Sequence, residues 1–167
     1  MNYSFNEARP ALEVFHTGDS VRAYDFLGAH LVYRNDKNGV VFRVWAPTAR
    51  SVSVAGDFNN WNNEANYMYN IGYGVWEVFV EGVKEFCTYK YCIESEYGDR
   101  LMKADPYAFH AQTRPGQASV VYDIESYSWN DSEWFNKRKE NNISSSPMNI
   151  YEIHAGSWRK YPDGNFF

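Results

Sequence analysis

At 167 residues, with 44% apolar and 22% charged side chains, the chain has a globular rather than a disordered composition, and it is long enough for one ordinary domain plus extensions. A net charge of −5 with no basic stripe argues against nucleic acid as a partner, and no apolar run approaches the ~20 residues that span a bilayer. Aromatic residues reach 19%, with 14 Tyr and 6 Trp; a β-rich core uses some of these rings, and so many also suggest ring-stacking surfaces.

In chain order, residues 1–15 lack a basic start followed by an apolar run, so no signal peptide is expected. Residues 1–27 read as an N-terminal extension in which Asp19-Ser20 cap a short helix through Asp25, with Val21 and Tyr24 on one side. From Gly28 the pattern becomes β. His30 to Arg34 is a short strand, and Asn35-Asp36-Lys37-Asn38-Gly39 is a hairpin turn ending in an Asn-Gly pair. In the next strand Val40, Phe42 and Val44 share one face, and Val41, Arg43 and Trp45 the other.

After a turn at residues 46–49, Val52 and Val54 alternate with small residues as in a half-buried strand. Gly56 and Asp57 break it, and Phe58-Asn59-Asn60-Trp61 follows as a polar turn carrying two large aromatics. An aromatic ring on an Asn-rich loop suits a sugar: the ring stacks on the apolar face of a pyranose while amides bond its hydroxyls. The same two rings would equally serve as plug and lid of a sandwich core.

Residues 62–70 read as a polar loop. Val75 to Val80 is a strand with Trp76, Val78 and Val80 on one face and Val75, Glu77 and Phe79 on the other. Between Cys87 and Glu94, Cys87, Tyr89, Tyr91 and Ile93 point inward and Thr88, Lys90, Cys92 and Glu94 outward. A turn at Tyr97-Gly98-Asp99 precedes a short strand near Leu101, and Ala118 to Tyr122 closes the series. Short strands at this spacing, with turn residues between them and no long helix, predict an all-β, immunoglobulin-like β-sandwich over residues 28–124, with short helical extensions at both ends. Residues 125–147 read as a helix starting near Asp131 or Ser132, followed by a linker; residues 148–154 read as a fresh strand with no partner after it, the truncated start of a further element.

Other chemistry is sparse. Cys87 and Cys92 fall on opposite faces of one strand and should not bridge, which fits a reducing cytoplasm and leaves the sequons at Asn130 and Asn142 without meaning. Glu152 and His154 share a strand face, as a metal pair, an acid/base pair or a polar lining would; no third ligand is evident, so neither a metal nor a cofactor is expected. His16, His30 and His110 are isolated, and Asp57, Asp99 and Asp105 sit at turns where Asp is expected for backbone reasons.

Six ordered segments together resemble the bacterial glycogen branching enzymes: Phe26-Leu27-Gly28-Ala29-His30; Phe42-Arg43-Val44-Trp45-Ala46-Pro47 with the turn at Gly56 to Trp61; the run from Lys103 to Phe109; Arg114-Pro115-Gly116; Ala118 to Asp123; and Met148-Asn149-Ile150-Tyr151-Glu152-Ile153-His154 with Gly156-Ser157-Trp158-Arg159. The resemblance covers residues 13–167. It implies a sandwich of carbohydrate-binding module family 48, then, over residues 148–167, the start of a (β/α)8 barrel of glycoside hydrolase family 13. Debranching enzymes and trehalose-forming hydrolases have similar sandwiches, and the Ala155-Gly156-Ser157-Trp158-Arg159 continuation favours branching over both. The implied activity of the parent is transfer of α-1,4-glucan segments to a 6-hydroxyl by retaining chemistry, which needs a nucleophile and an acid/base carboxyl roughly 5 Å apart. In the family these carboxylates lie on later barrel strands, so this chain is expected to have no catalytic residue and no activity, its missing barrel being a partner in cis.

Glucan-binding members of the module, such as the kinase-associated glycogen sensors, hold a sugar ring between two tryptophans beside a lysine. Trp61, next to Asn60, matches the first tryptophan; Lys90 matches the lysine; the second falls on Tyr97, counted forward from Tyr89-Lys90. The sensors' Asn pair is not matched by Ala118-Ser119-Val120. Two roles for the sandwich stay open: binding glycogen or other α-1,4-glucan, or supporting the barrel. A stand-alone scaffold is the third. Ile150, Ile153 and Trp158 lack a partner, so residues 148–167 are expected to be disordered, to fold back on the sandwich, or to pair with a second copy of the chain.

Overall fold

The computed structural model describes residues 5–140, 145 and 147–165, and the chain divides after Ser126 into two compact units. The first unit contains helix α1 (Phe5–His16) and strands β1 (Gly28–Arg34), β2 (Lys37–Trp45), β3 (Ser51–Gly56), β4 (Tyr69–Gly72), β5 (Val75–Glu81), β6 (Thr88–Glu94), β7 (Arg100–Lys103), β8 (His110–Ala111) and β9 (Ser119–Val120). One antiparallel sheet has the order β1-β2-β5-β4; the other has the order β3-β6-β9-β8, with β7 also on β6. The all-β sandwich is the observed fold.

The core forms where the period-2 pattern puts apolar residues of both sheets face to face. Val40, Phe42 and Val44 of β2 meet Val52 and Val54 of β3 and the fully buried Tyr89 and Tyr91 of β6. Phe42 packs against the rings of Tyr89 at 5.0 Å and Phe58 at 5.6 Å. The opposite faces of β2 and β5 are also partly covered: Leu12 of α1 packs with Phe26, Leu27 and Val75. Beside them Arg43 and Glu77, a registered pair across β2 and β5, form a buried ion pair of 2.6 Å, with the guanidinium over the Phe26 ring.

Several local expectations are corrected. The helix capped by Asp19-Ser20 does not form; only a three-residue 3-10 turn, Ala23–Asp25, lies there, without a side-chain cap, and the α-helix is Phe5–His16. The hairpin turn is Asn35-Asp36, not Asn38-Gly39. Arg34 pairs with Lys37, and Asn35 and Asp36 both take positive φ (51° and 60°), the two-residue geometry that matches strand twist. Gly39 lies within β2 because a Cβ there would collide with the Val80 carbonyl and the Phe79 ring. The loop at 62–70 contains pairing of its own: Tyr67 bridges to Ser53 of β3, and β4 then begins on the other sheet at Tyr69.

In the second unit, α2 (Ser132–Glu140) starts where expected and carries an i,i+4 pair between Glu133 and Lys137 at 2.6 Å. Residues 148–154 do not form the expected strand and are exposed, Ile150 at 85%. A strand needs a neighbour to take its N–H and C=O groups, and the described residues of this unit offer it no ladder. A short helix, α3 (Ala155–Trp158), follows.

Candidate functional site

The turn after β3 is built by close approach and by two side chains that act as ties. Gly56 is extended, and a Cβ on it would strike the Thr88 carbonyl and the Phe58 ring, so only glycine lets the chain turn against β6. Asn59 then holds the loop from inside. Its Oδ1 accepts the Gly56 N–H at 2.9 Å, and its Nδ2 lies 3.0 Å from the Val54 carbonyl and 2.7 Å from Asn66 Oδ1. Asp57 holds it from outside: one carboxylate oxygen accepts the Thr88 N–H at 2.8 Å and the Thr88 hydroxyl at 2.7 Å, and the other accepts the Trp61 indole N–H at 3.2 Å. Burial pushes the Asp57 carboxyl up, but the Thr88 and Trp61 hydrogen bonds outweigh it and hold the group below its ordinary range. Asp57 is therefore a tie between the turn and β6, and the purely local backbone role expected for it is corrected.

The two aromatics of the turn separate. Phe58 packs into the core against Phe42, whereas Trp61 stays 41% exposed. Asn60 and Trp61 both have left-handed backbones, φ 53° and 59°, closed by the Trp61 N–H on the Gly56 carbonyl at 2.9 Å. Asn tolerates that region; a bulky Trp there stores roughly 1–3 kcal/mol of strain, the kind of outlier that concentrates at binding sites. The indole is thus held outward at a local conformational cost.

Lys90 lies opposite Ala55 on the outer face of the β3–β6 pair and is half-buried. Tyr97 is 92% exposed in the β6–β7 turn, its N–H on Ser95 Oγ. Trp61 sits at the Gly56–Tyr89 end of the strand pair, and Tyr97 lies beyond the Ser51–Glu94 end. Five residues of strand, about 17 Å of rise, separate the two ends. Trp61, Asn60 and Lys90 are brought to one end; Tyr97 is not among them. Two outer-face residues were missed: Tyr67, 46% exposed opposite Ser53, and Met102, 41% exposed opposite Cys92. The Tyr67-Met68-Tyr69 alternation could have exposed the first, since Met68 is buried in the core between two outward rings. Nothing local marks Met102, whose place depends on the length of the β6–β7 turn.

Asp105 is a further correction, because its role reaches well beyond its own turn. Its buried carboxylate accepts hydroxyls from Tyr89 at 2.7 Å and Tyr91 at 3.2 Å and the Tyr107 N–H at 2.8 Å, while its own N–H donates to Ser119 Oγ at 2.8 Å. Burial raises its pKa, and these hydrogen bonds only partly offset the rise. His154, at the end of the exposed 148–154 segment, places Nδ1 2.7 Å from Ser157 Oγ; among the described residues no three His, Cys, Asp or Glu side chains are grouped to hold a metal. No helix among the described residues is long and apolar enough to cross a membrane.

Comparison with known proteins places these features in a wider set. The sequence profile described as carbohydrate-binding module 48 (isoamylase N-terminal domain) matches residues 26–108. The chain is 46% identical over 157 residues to the 1,4-alpha-glucan branching enzyme GlgB of Bacillus cytotoxicus, an alignment covering 93% of this chain and 24% of that protein. It is 45% identical over 154 residues to the GlgB of Bacillus cereus strain B4264, covering 92% and 24%. Among solved structures, the type I pullulanase of Bacillus subtilis complexed with maltose superposes with a TM-score of 0.51 at 26% identity, over 66% of this chain and 15% of that one. The chain therefore spans about a quarter of the length of the curated relatives it matches.

Proposed function

Residues 26–108 belong to the carbohydrate-binding module 48 family, and from that premise we propose that the sandwich binds α-1,4-glucan, glycogen included, at the Trp61 turn, as the amino-terminal module of a glucan branching enzyme. The chain is homologous to the N-terminal region of GlgB and holds no catalytic domain. Branching activity, in which α-1,4 segments are moved to 6-hydroxyls, belongs on this reading to the longer protein, and the 167-residue chain alone is inactive.

The observation that carries the binding role is Trp61 itself. Exposure and a left-handed backbone are shared by Tyr73 and Phe86, and the Trp61 ring is set apart by the tether of its indole N–H to Asp57. The tether leaves the indole face to stack on a pyranose, while Lys90 and the Asn60 amide supply polar contacts to hydroxyls. Tyr97, at the far end of the strand pair, meets only a longer glucan. The unpaired thiols of Cys87 and Cys92 support a cytoplasmic setting.

Calorimetric titration with maltoheptaose tests this reading. Trp61→Ala is expected to weaken binding about tenfold, ~1.4 kcal/mol, and Lys90→Ala about threefold. Unchanged affinity in a folded Trp61→Ala protein would remove Trp61 from the site.

A further inference from the structure

A cavity of about 290 Å³ lies beside β1, on a part of the sandwich that shares no residue with the Trp61 turn. Its size is near the lower end for small-molecule sites, roughly 300–1,000 Å³. Ring surfaces form part of its wall: Tyr24 from the 3-10 turn, Phe109 before β8 and Tyr122 after β9. Two of the rings are held in place by edge contacts, Phe109 against His30 at 5.5 Å and Tyr122 against His110 at 5.4 Å and Phe86 at 5.8 Å. Tyr122 nevertheless remains 36% exposed and Tyr24 39%.

Polar groups converge on the same space. Arg22 and Asp25 pair at 2.8 Å and cancel each other's charge. Asp123 and Glu125 add two carboxylates on a tightened segment, in which the Glu125 N–H donates to Asp123 Oδ1 at 2.9 Å and the Asp123 N–H to Glu85 at 3.1 Å. The His30 ring is committed to the Leu27 carbonyl at 3.0 Å, and burial lowers its pKa, so it adds no positive charge. A phosphate or acidic ligand is repelled by such a lining. Carboxylates that accept, beside rings that stack, suit a neutral polyhydroxyl ligand whose hydroxyls donate.

We propose that this cavity is a second oligosaccharide site, taking one end or one short stretch of an α-glucan. The proposal takes its ligand class from the reading above but none of its residues. Two weak sites on one module would hold a branched polymer far better than either alone, because the second contact becomes intramolecular.

Amide-resolved NMR titration of the 167-residue chain with maltoheptaose, in the wild type and in Trp61→Ala, tests it. The amides of Ala29, His30 and Glu125 are expected to shift in both proteins, and Glu125→Gln, an exposed change that keeps the backbone N–H, to weaken that response about threefold or more. If these amides stay still while those of Asp57 and Thr88 move, the cavity is not a saccharide site. If neither set moves, both sites fail; if only the cavity set moves, the cavity stands and the Trp61 reading falls.

Discussion

Trp61 donates its indole N–H to the carboxylate of Asp57 at 3.2 Å, four residues back along a backbone that is left-handed at Trp61 itself. That bond and the two from Thr88 to the same carboxylate join the exposed ring to the rigid β6 strand. Asp57→Ala should therefore weaken maltoheptaose binding about fivefold while costing about 1 kcal/mol of stability. Asp57→Asn keeps one acceptor and should lie between. Calorimetry together with urea unfolding separates the two effects.

The same carboxylate sets an acid limit. Its folded pKa is depressed, so its contribution is fully present above the unfolded value near 3.8 and is lost as pH falls below that toward the folded value. Because the folded carboxyl stays ionised to below its ordinary value, glucan affinity should be flat from neutral pH down to about pH 4 and fall only at more acid pH. The Asp57→Asn protein should lose that acid step, which is the measurement that assigns it.

Asp105 behaves in the opposite sense. Its folded pKa is raised by burial, so the fold favours the protonated form more than the unfolded chain does; the stability it contributes is present below its ordinary value and is lost as pH rises through the folded one. Urea midpoints at pH 4, 5 and 6, upward from the ordinary carboxyl value, should show the stability of the wild type relative to Asp105→Asn growing as pH falls. A constant difference across the three would contradict the assignment.

The two aromatics of one turn should report on different things. Phe58→Ala opens a hole beside Phe42 and should cost about 3 kcal/mol in urea unfolding. Trp61→Ala should cost less than about 1 kcal/mol and act on binding instead. Tyr97→Ala should leave maltotriose affinity within about twofold and weaken only longer glucans, because some 17 Å of strand separates it from the Trp61 end.

Arg43 and Glu77 form a buried pair, and such pairs are costly to break from one side. Arg43→Ala should lose about 3–5 kcal/mol, and Arg43→Met with Glu77→Leu should recover most of it, since both charges then leave together. Thermal unfolding of the three variants decides the point.

The strands were legible wherever alternation was strict and one face was buried. Val40–Phe42–Val44, Trp76–Val78–Val80 and Tyr89–Tyr91–Ile93 all point to the core as the period of two requires. Turn chemistry was less decisive. Asn38-Gly39 is the stronger dipeptide signal, but pairing of Arg34 with Lys37 moved the turn to Asn35-Asp36, and Gly39 is explained by Val80 and Phe79, residues some forty positions away. Trp61 and Lys90 could be found because a turn and a strand parity locate them. Tyr97 was counted along the chain, whereas the registered neighbour of Cys92 is Met102, a fact set by hairpin length. The Asp57–Thr88 and Asp105–Tyr89 bonds were invisible for the same reason: each joins residues that only the β3–β6 register or the packed core brings together.

Electrophoresis of the native chain through gels with and without glycogen, beside Trp61→Ala, tests the central claim most directly. The wild type should be retarded by glycogen and the variant much less so, with both proteins equally folded by circular dichroism. Equal mobility of the folded wild type in both gels would contradict the account and leave the sandwich without a glucan-binding role.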